Sequence, residues 1–244
     1  MFIGIDLGTS SVKMILVDHD QNILATSDSP VSVQNPKDGY SEQNPDEWIK
    51  ATFECLESLK FSKPKEFSET ISIGISGQMH GATLIDNFGN VIRPCILWND
   101  TRSHKECEEF ENQDIDVRSI SGNITMPGFT APKINWLKNN EIESFKKISK
   151  VLLPKDYLRF YLTGDYYSEM SDASGTLWLD VKERKWSEKL LSCSDLDIKN
   201  MPKLVEGNQE TGTLKNIIKD KLGFNNNVIV VGGAGDQAAA AAGM

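Results

Sequence analysis

"FIGIDLGTSSVKMILVDHDQNILATSDSP", residues 2–30, decides the fold. Residues 2–6 are short and apolar, 11–18 are rich in β-formers, and 22–30 follow the polar turn "DHDQN". Three strands joined by short polar loops predict an antiparallel meander. Downstream, helix and strand patterns alternate. That order suits an α/β mixed sheet, with the meander on one side and helices on its faces.

The next segment, "SEQNPDEWIKATFECLESL" (41–59), carries the plainest helix signal. Asn44 can cap, Pro45 suits the first turn, and Glu47 stands where a capping box needs an acid. Trp48, Phe53, Cys55, Leu56 and Leu59 then recur near helical spacing. "TISIGIS" (70–76) reads as a buried strand, and 82–96 as a hairpin with Gly89 in its turn. Helices are expected within 101–111 and 131–140. Residues 150–165 read as a short strand and then a helix opened by Pro154 and closed by Gly164. A strand and helix are expected in 174–192, a helix at the end of 210–223, and a buried strand in 226–233. No linker composition and no repeat divides the chain, so 1–244 reads as one domain.

The net charge of −9 disfavours nucleic acid and anionic membranes as partners. A phosphate site must then be built from backbone N–H groups, hydroxyls, a few local cations or a metal ion. The four cysteines form no CxxC pair, which fits buried thiols in a reducing compartment better than disulfides or zinc. No basic, apolar leader opens the chain, and no apolar run approaches the ~20 residues of a membrane span. A cytoplasmic protein is expected.

Four motifs could carry chemistry. "DLGTSS" (6–11) offers a tight turn with Gly8, the hydroxyls of Thr9, Ser10 and Ser11, and free N–H groups, which together can hold phosphate oxygens. Asp6 could hold Mg²⁺ through water, and Lys13 is the nearest cation. The same residues equally make an ordinary polar turn. "SGQMHGA" (76–82) puts Gln78, Met79 and His80 at a strand end, where small ligands bind in such sheets. It also reads as a structural loop with one satisfied histidine. "LWNDTR" (97–102) sets an aromatic beside an amide and a carboxylate, as polyol sites do, or else lets Asp100 cap the following helix. "GGAGDQ" (232–237) places Asp236 at the start of an alanine helix, either as a plain cap or as a proton acceptor favoured in its ionised form by the helix dipole.

Taken together, "IGIDLGTSSVK", "GQMHGATL", "LWND", "MPGFTAPK", "LLPKDYLR", "SDASGT" and "GGAGDQAA", in this order, resemble the FGGY family of carbohydrate kinases. "GFTAPKINWLKNN" (128–140) fits that family's N-terminal signature through Thr130, Lys133 and Trp136. The resemblance implies the ribonuclease-H-like fold shared by actin, sugar kinases and Hsp70. It implies ATP-dependent, Mg²⁺-requiring phosphorylation, and "QMHG" with "MPGFTAPK" points to D-xylulose, at its 5-hydroxyl, as the sugar. Asp236 matches the catalytic base. Met79 and His80 match the sugar-contact pair, with Gln237, Trp98, Asn99 and Asp100 nearby. Asp6, Thr9, Ser10 and Lys13 match the phosphate end, with Asp6 and Asp236 as its metal carboxylates. Gln237 departs from the asparagine many of these kinases carry. Family members continue into a second, adenosine-binding domain after the Asp-containing helix. Residues 1–244 are therefore expected to be the sugar-binding N-terminal domain, inactive by itself. Another pentulose or polyol (ribulose, gluconate) and a non-catalytic nucleotide-dependent protein of the same fold are the rival expectations. A homodimer is left open.

Overall fold

A computed structural model describes residues Met1–Met244. Strands β1 (Phe2–Leu7), β2 (Ser11–Val17) and β3 (Ile23–Pro30) form the expected meander. β1 pairs antiparallel with β2, from Phe2↔Val17 to Leu7↔Val12, and β2 with β3 from Ser11↔Pro30. After the short β4 (Glu42–Gln43) comes α1 (Pro45–Ser62). Asn44 caps it by accepting Asp46 N–H at 3.0 Å. Glu47 does not close a capping box, because its carboxylate accepts Ser32 N–H at 3.1 Å instead. Trp48, Thr52, Cys55, Leu56 and Leu59 form the buried stripe, at i, i+4, i+7, i+8 and i+11. Burying a leucine such as Leu56 stabilises by about 1.5–3 kcal/mol.

A short helix, α2 (Pro64–Ser68), leads into β5 (Ser72–Gly77), which lies parallel to β1 with Leu7 opposite Gly77. The hairpin expected over 82–96 is only half present. Its turn forms: Asp86 N–H donates to Asn90 O at 2.9 Å, and Gly89 has φ +84°. The strand β6 (Thr83–Ile85) pairs along its whole length with β8 (Lys150–Leu152), and the return arm is met only at isolated antiparallel bridges, Ile85↔Val91 and, just before the strand, Ala82↔Ile96. The return arm becomes a strand only at β7 (Cys95–Ile96), which pairs with β4. Pro94 has no N–H to donate, so a long ladder back to β6 is not available.

The middle of the chain is helical: α3 (His104–Glu111), α4 (Val117–Ser121), α5 (Thr130–Asn140), α6 (Ile142–Phe145), then β8 and α7 (Pro154–Thr163). α7 starts on Pro154 and ends on Gly164 at φ +94°, as the sequence predicts. Next come β9 (Tyr167–Glu169), α8 (Met170–Ser174), β10 (Leu179–Asp180), β11 (Lys185–Trp186), α9 (Glu188–Ser192), a 3₁₀ turn at Ile198–Asn200 and β12 (Lys203–Val205). The chain returns to the main sheet through β13 (Glu210–Thr213), α10 (Asn216–Leu222), β14 (Ile229–Val231) and β15 (Ala234–Gly235), and closes with α11 (Asp236–Ala242).

The main sheet runs β13-β14-β5-β1-β2-β3, with β15 also beside β5. β14, β15 and β1 are all parallel to β5. One apolar cluster fills the space between this sheet and α1, α7 and α10. A second gathers around Trp136, Trp178 and Leu137, from the central helices. The site lies between the two. No helix is long and apolar enough to cross a membrane.

Candidate active site

Parallel pairing brings three strand ends into line. Leu7 of β1 and Gly235 of β15 both stand opposite Gly77 of β5, and Asp6 and Ala234 both stand opposite Ser76. The segments just past these ends are the three motifs singled out by sequence: Gly8–Ser10, Gln78–His80 and Asp236–Gln237. Their convergence follows from register alone, and strand ends of this kind are where α/β sheets bind ligands.

At the first end, Ser76 Oγ donates to Asp6 Oδ1 at 2.9 Å. Gly8 N–H closes the turn on Ser11 O at 3.0 Å. Ser10 and Lys13 are exposed, and Lys13 stands opposite Asp6 across the ladder. A cavity of about 370 Å³ beside Asp6 is lined by Lys13, Ser76, Gly233 and Ala239. It belongs to this phosphate-like end and not to the histidine loop.

Thr9 turns inward. Its hydroxyl accepts from Trp98 Nε1 at 3.0 Å and donates to Gln78 Oε1 at 3.1 Å. Gln78 Nε2 donates to Gln43 Oε1 at 2.7 Å, and Trp48 Nε1 donates to the same oxygen at 3.0 Å. Gln43 Nε2 returns to Thr9 O at 2.7 Å. One buried chain of hydrogen bonds thus ties the first turn, the histidine loop and the tryptophan loop to the core. Gln43, unremarked in sequence, is its hub.

Met79 and His80 are half-buried at the second end. His80 adopts φ +63°, and its Nδ1 lies 2.8 Å from Gly175 O. Since that partner is a carbonyl, Nδ1 carries the proton. Burial, with Lys133's charge adding to it against the Gly175 hydrogen bond, lowers the His80 pKa to about 4. The ring is therefore neutral at pH 7 and Nε2 is an acceptor. A side chain at Gly175 would meet the ring at 2.5 Å, so only glycine fits there. Beneath the loop, the fully buried Lys133 donates to His80 O at 3.0 Å and to Gly128 O at 2.6 Å.

Asp100 does not cap the following helix. α3 begins at His104 after Ser103, and Asp100 is buried in other work. It accepts Ser41 N–H at 2.6 Å, Arg102 N–H at 2.9 Å and the Arg102 guanidinium at 2.7 Å. Arg102 itself lies over the Tyr40 ring, 3.8 Å from its centroid. Asp100 thereby shapes the loop that leaves Trp98 and Asn99 exposed.

At the third end, Asp236 is the first residue of α11, not its cap, which is Gly235. Asp236 Oδ1 accepts Gln237 N–H at 2.8 Å, and Gln237 is exposed. The helix dipole was expected to favour ionisation, but the shift runs the other way: burial, joined by the charge of Asp6, raises the Asp236 pKa. Two carboxylates that repel across a cleft suit one divalent cation. No cluster of three acidic, histidine or cysteine ligands exists. Asp6 and Asp236 are the residues that would hold Mg²⁺, an ion that binds one or two carboxylates and completes its shell with water and phosphate oxygens.

Comparison with known proteins gives the family and the fold. Residues 1–243 match the FGGY family of carbohydrate kinases, N-terminal domain. The chain is 46% identical over 244 residues to the xylulose kinase of Escherichia coli K12, covering 100% of this chain and 50% of that protein. It is 45% identical to that of Klebsiella pneumoniae, with the same coverage. The crystal structure of a xyloylose kinase from Brucella ovis superposes with a TM-score of 0.97 at 51% identity, over 99% of this chain and 50% of that one. The xylulose kinase of Rhodospirillum rubrum shares the fold at a TM-score of 0.93 and 24% identity, over 98% of this chain and 49% of that one. The chain thus spans about half the length of the curated relatives it matches.

Proposed function

Since the chain belongs to the FGGY family of carbohydrate kinases, we propose that it is the sugar-binding half of an enzyme that phosphorylates D-xylulose at its 5-hydroxyl, with ATP as donor. The observation that supports this reading is the shared register of the three strand ends, which brings the Asp236, Met79–His80 and Asp6 segments to one edge of the sheet.

In that reading Asp236 accepts or orients the proton of the attacking hydroxyl. A loose phosphoryl-transfer transition state asks little more of a base than position. Its raised pKa moves it toward the working pH, which favours general-base action. Neutral His80 offers Nε2 to a sugar hydroxyl, Met79 packs against the carbon skeleton, and Trp98, Asn99 and Gln237 line the exposed side. Asp100 serves through the loop it shapes. Ser10, the Gly8 turn and Lys13 face the phosphates, and Thr9, whose hydroxyl is taken up by Gln78 and Trp98, holds the turn in place. Mg²⁺, held by Asp6 and Asp236, would neutralise phosphate charge. The adenosine contacts would come from a second half, so residues 1–244 alone are expected to release no ADP from ATP.

The test is ADP release by a full-length protein carrying this chain, with D-xylulose, D-ribulose and gluconate as acceptors. D-xylulose is expected to give the highest kcat/KM, and Asp236→Asn to abolish turnover. Near-normal turnover by Asp236→Asn would sink the assignment. A preference for gluconate or ribulose would keep the family chemistry and change the sugar.

A further inference from the structure

Asp236 sits at the end of a four-residue glycine-rich arm, Gly232–Gly235, that has almost no side chains with which to hold itself. Backbone contacts crowd it. A Cβ on Gly232 would meet Glu206 O at 2.4 Å, and one on Gly233 would meet Ile75 O at 1.8 Å. Gly232 and Gly233 donate to Gln209 O at 2.9 Å and Gly207 O at 2.8 Å. These bonds fix the arm's beginning and middle. The last residues before Asp236 pair with β5 on one side, Gly235 opposite Gly77, and are held on the other by a side chain.

Gly235 N–H donates to Ser171 Oγ at 3.2 Å. The Ser171 hydroxyl is itself oriented, donating to Glu169 Oε1 at 2.9 Å, so its lone pairs face the arm. Glu169 caps α8 by accepting Ser171 N–H at 2.7 Å and Asp172 N–H at 2.8 Å. Behind it lies a fully buried group of charges. Lys155 Nζ lies 2.7 Å from Asp156, 3.2 Å from Asp172 and 3.6 Å from Glu169. Arg159 pairs with the same Asp156 oxygen at 2.7 Å, and its other nitrogen donates to the carbonyl of Gly232, at the arm's opposite end. One network therefore grips both ends of the arm.

We infer that Ser171 and Arg159 are positioning residues for Asp236, clamping the two ends of the glycine arm so that the carboxylate meets the attacking hydroxyl in a fixed place. The inference rests on the reading of Asp236 as the base. It explains why five ionisable groups are buried behind a site none of them touches: a charged network has few alternative arrangements, and what it holds cannot drift.

The experiment compares Ser171→Ala and Ser171→Thr in the full-length protein carrying this chain, measuring kcat and the KM for D-xylulose. Ser171→Ala is expected to lower kcat about tenfold with KM within about twofold, the mark of an interaction used in the transition state. Ser171→Thr, which keeps the hydroxyl, is expected to recover most of the loss. A Ser171→Ala kcat equal to the parent's overturns the inference. So does a loss that threonine does not recover, which would make Ser171 a packing residue only. Asp236→Asn, assayed alongside, separates the two levels. If it retains turnover, the base reading itself fails. If it is inactive while Ser171→Ala is normal, only the clamp is removed.

Discussion

Two lysines are fully buried in this chain, one behind each side of the site, and their surroundings are opposite. Lys133, under the histidine loop, donates to the carbonyls of His80 and Gly128. Lys155, behind the arm that carries Asp236, is packed among the carboxylates of Asp156, Asp172 and Glu169. Burial pulls both pKa values down. At Lys133 it prevails, and the value falls to about 7. At Lys155 Asp156 and Asp172 outweigh it, and the value ends above the ordinary one. A neutral amine still has two N–H groups for two carbonyls, so the hydrogen bonds of Lys133 survive loss of its charge. Those of Lys155 do not, because its neighbours are anions. The histidine-loop side is held by dipoles and the Asp236 side by charge.

The sharpest way to break this contrast is to remove each ammonium. Lys155→Met would leave three buried carboxylates facing Arg159 alone. Breaking a buried pair in this way costs about 3–5 kcal/mol. Lys133→Met leaves the Gly128 carbonyl without a donor, while His80 O keeps the Thr130 hydroxyl at 3.1 Å, at a cost of about 1–3 kcal/mol. Urea or thermal unfolding of the two variants reads the order directly. Equal losses would mean that charge is not what distinguishes the two sides. The smaller loss at Lys133 should come with a raised KM for the sugar, since His80 and the Gly128 turn would no longer be tied to one atom.

Much of this was legible beforehand. The meander, the Asn44–Pro45 helix start and the Pro154–Gly164 helix are local signals, and each appears as read. The glycine turns were legible as turns, each alone reading equally well as an ordinary loop or cap, and the register brings three of them to one edge of the sheet. What could not be read were the pairings that depend on distant partners. Nothing near Thr83–Ile85 says that its longer pairing is with Lys150–Leu152, while the arm after Gly89 meets it only at single bridges. Asp100 looked like a cap because the helix lay just beyond it, and only the placement of Ser41 and Arg102 gives it another use. Gln43 carries no pattern, and Ser171 stands in the "SDASGT" motif without a role that the motif alone reveals. Their roles arise from which backbone atoms the fold brings within reach. The direction of the Asp236 shift was missed for the same reason: the dipole is local, but burial and Asp6 come from tertiary structure.

The contrast also predicts a pH dependence. Lys133 has a folded pKa of about 7 against an ordinary value of 10.5. Between those limits the unfolded chain binds more protons than the folded one, so stability rises with pH across that window. Lys133→Met should flatten that rise, by denaturant midpoints measured from pH 7 to 10. His80, with a folded value of about 4 against 6.5, gives a second rise between those two values. A Lys133→Met variant that keeps the alkaline rise would place its source elsewhere.

The smallest effect is expected at Asp172, and it tests whether the base-side network is balanced. Three carboxylates surround two cations there, and neither Asp172 oxygen has a hydrogen-bond partner. Burial, with the charges of Asp156 and Glu169 added, raises the Asp172 pKa against the pull of Lys155. A raised carboxyl pKa means that the folded state binds the extra proton. Stability from this group is then greatest at low pH and is lost as pH rises above the ordinary aspartate range of about 4. Asp172→Asn removes the surplus charge and keeps the shape. It is expected to change stability at pH 7 by no more than about 1 kcal/mol, against the 3–5 kcal/mol expected for Lys155→Met. It should also remove this group's own fall above pH 4, which opposes the rise from His80, so the rise over pH 4 to 6.5 should steepen in the variant. If Asp172→Asn instead costs as much as Lys155→Met, the third carboxylate is a full member of the clamp, and the arm bearing Asp236 is held by three anions rather than two.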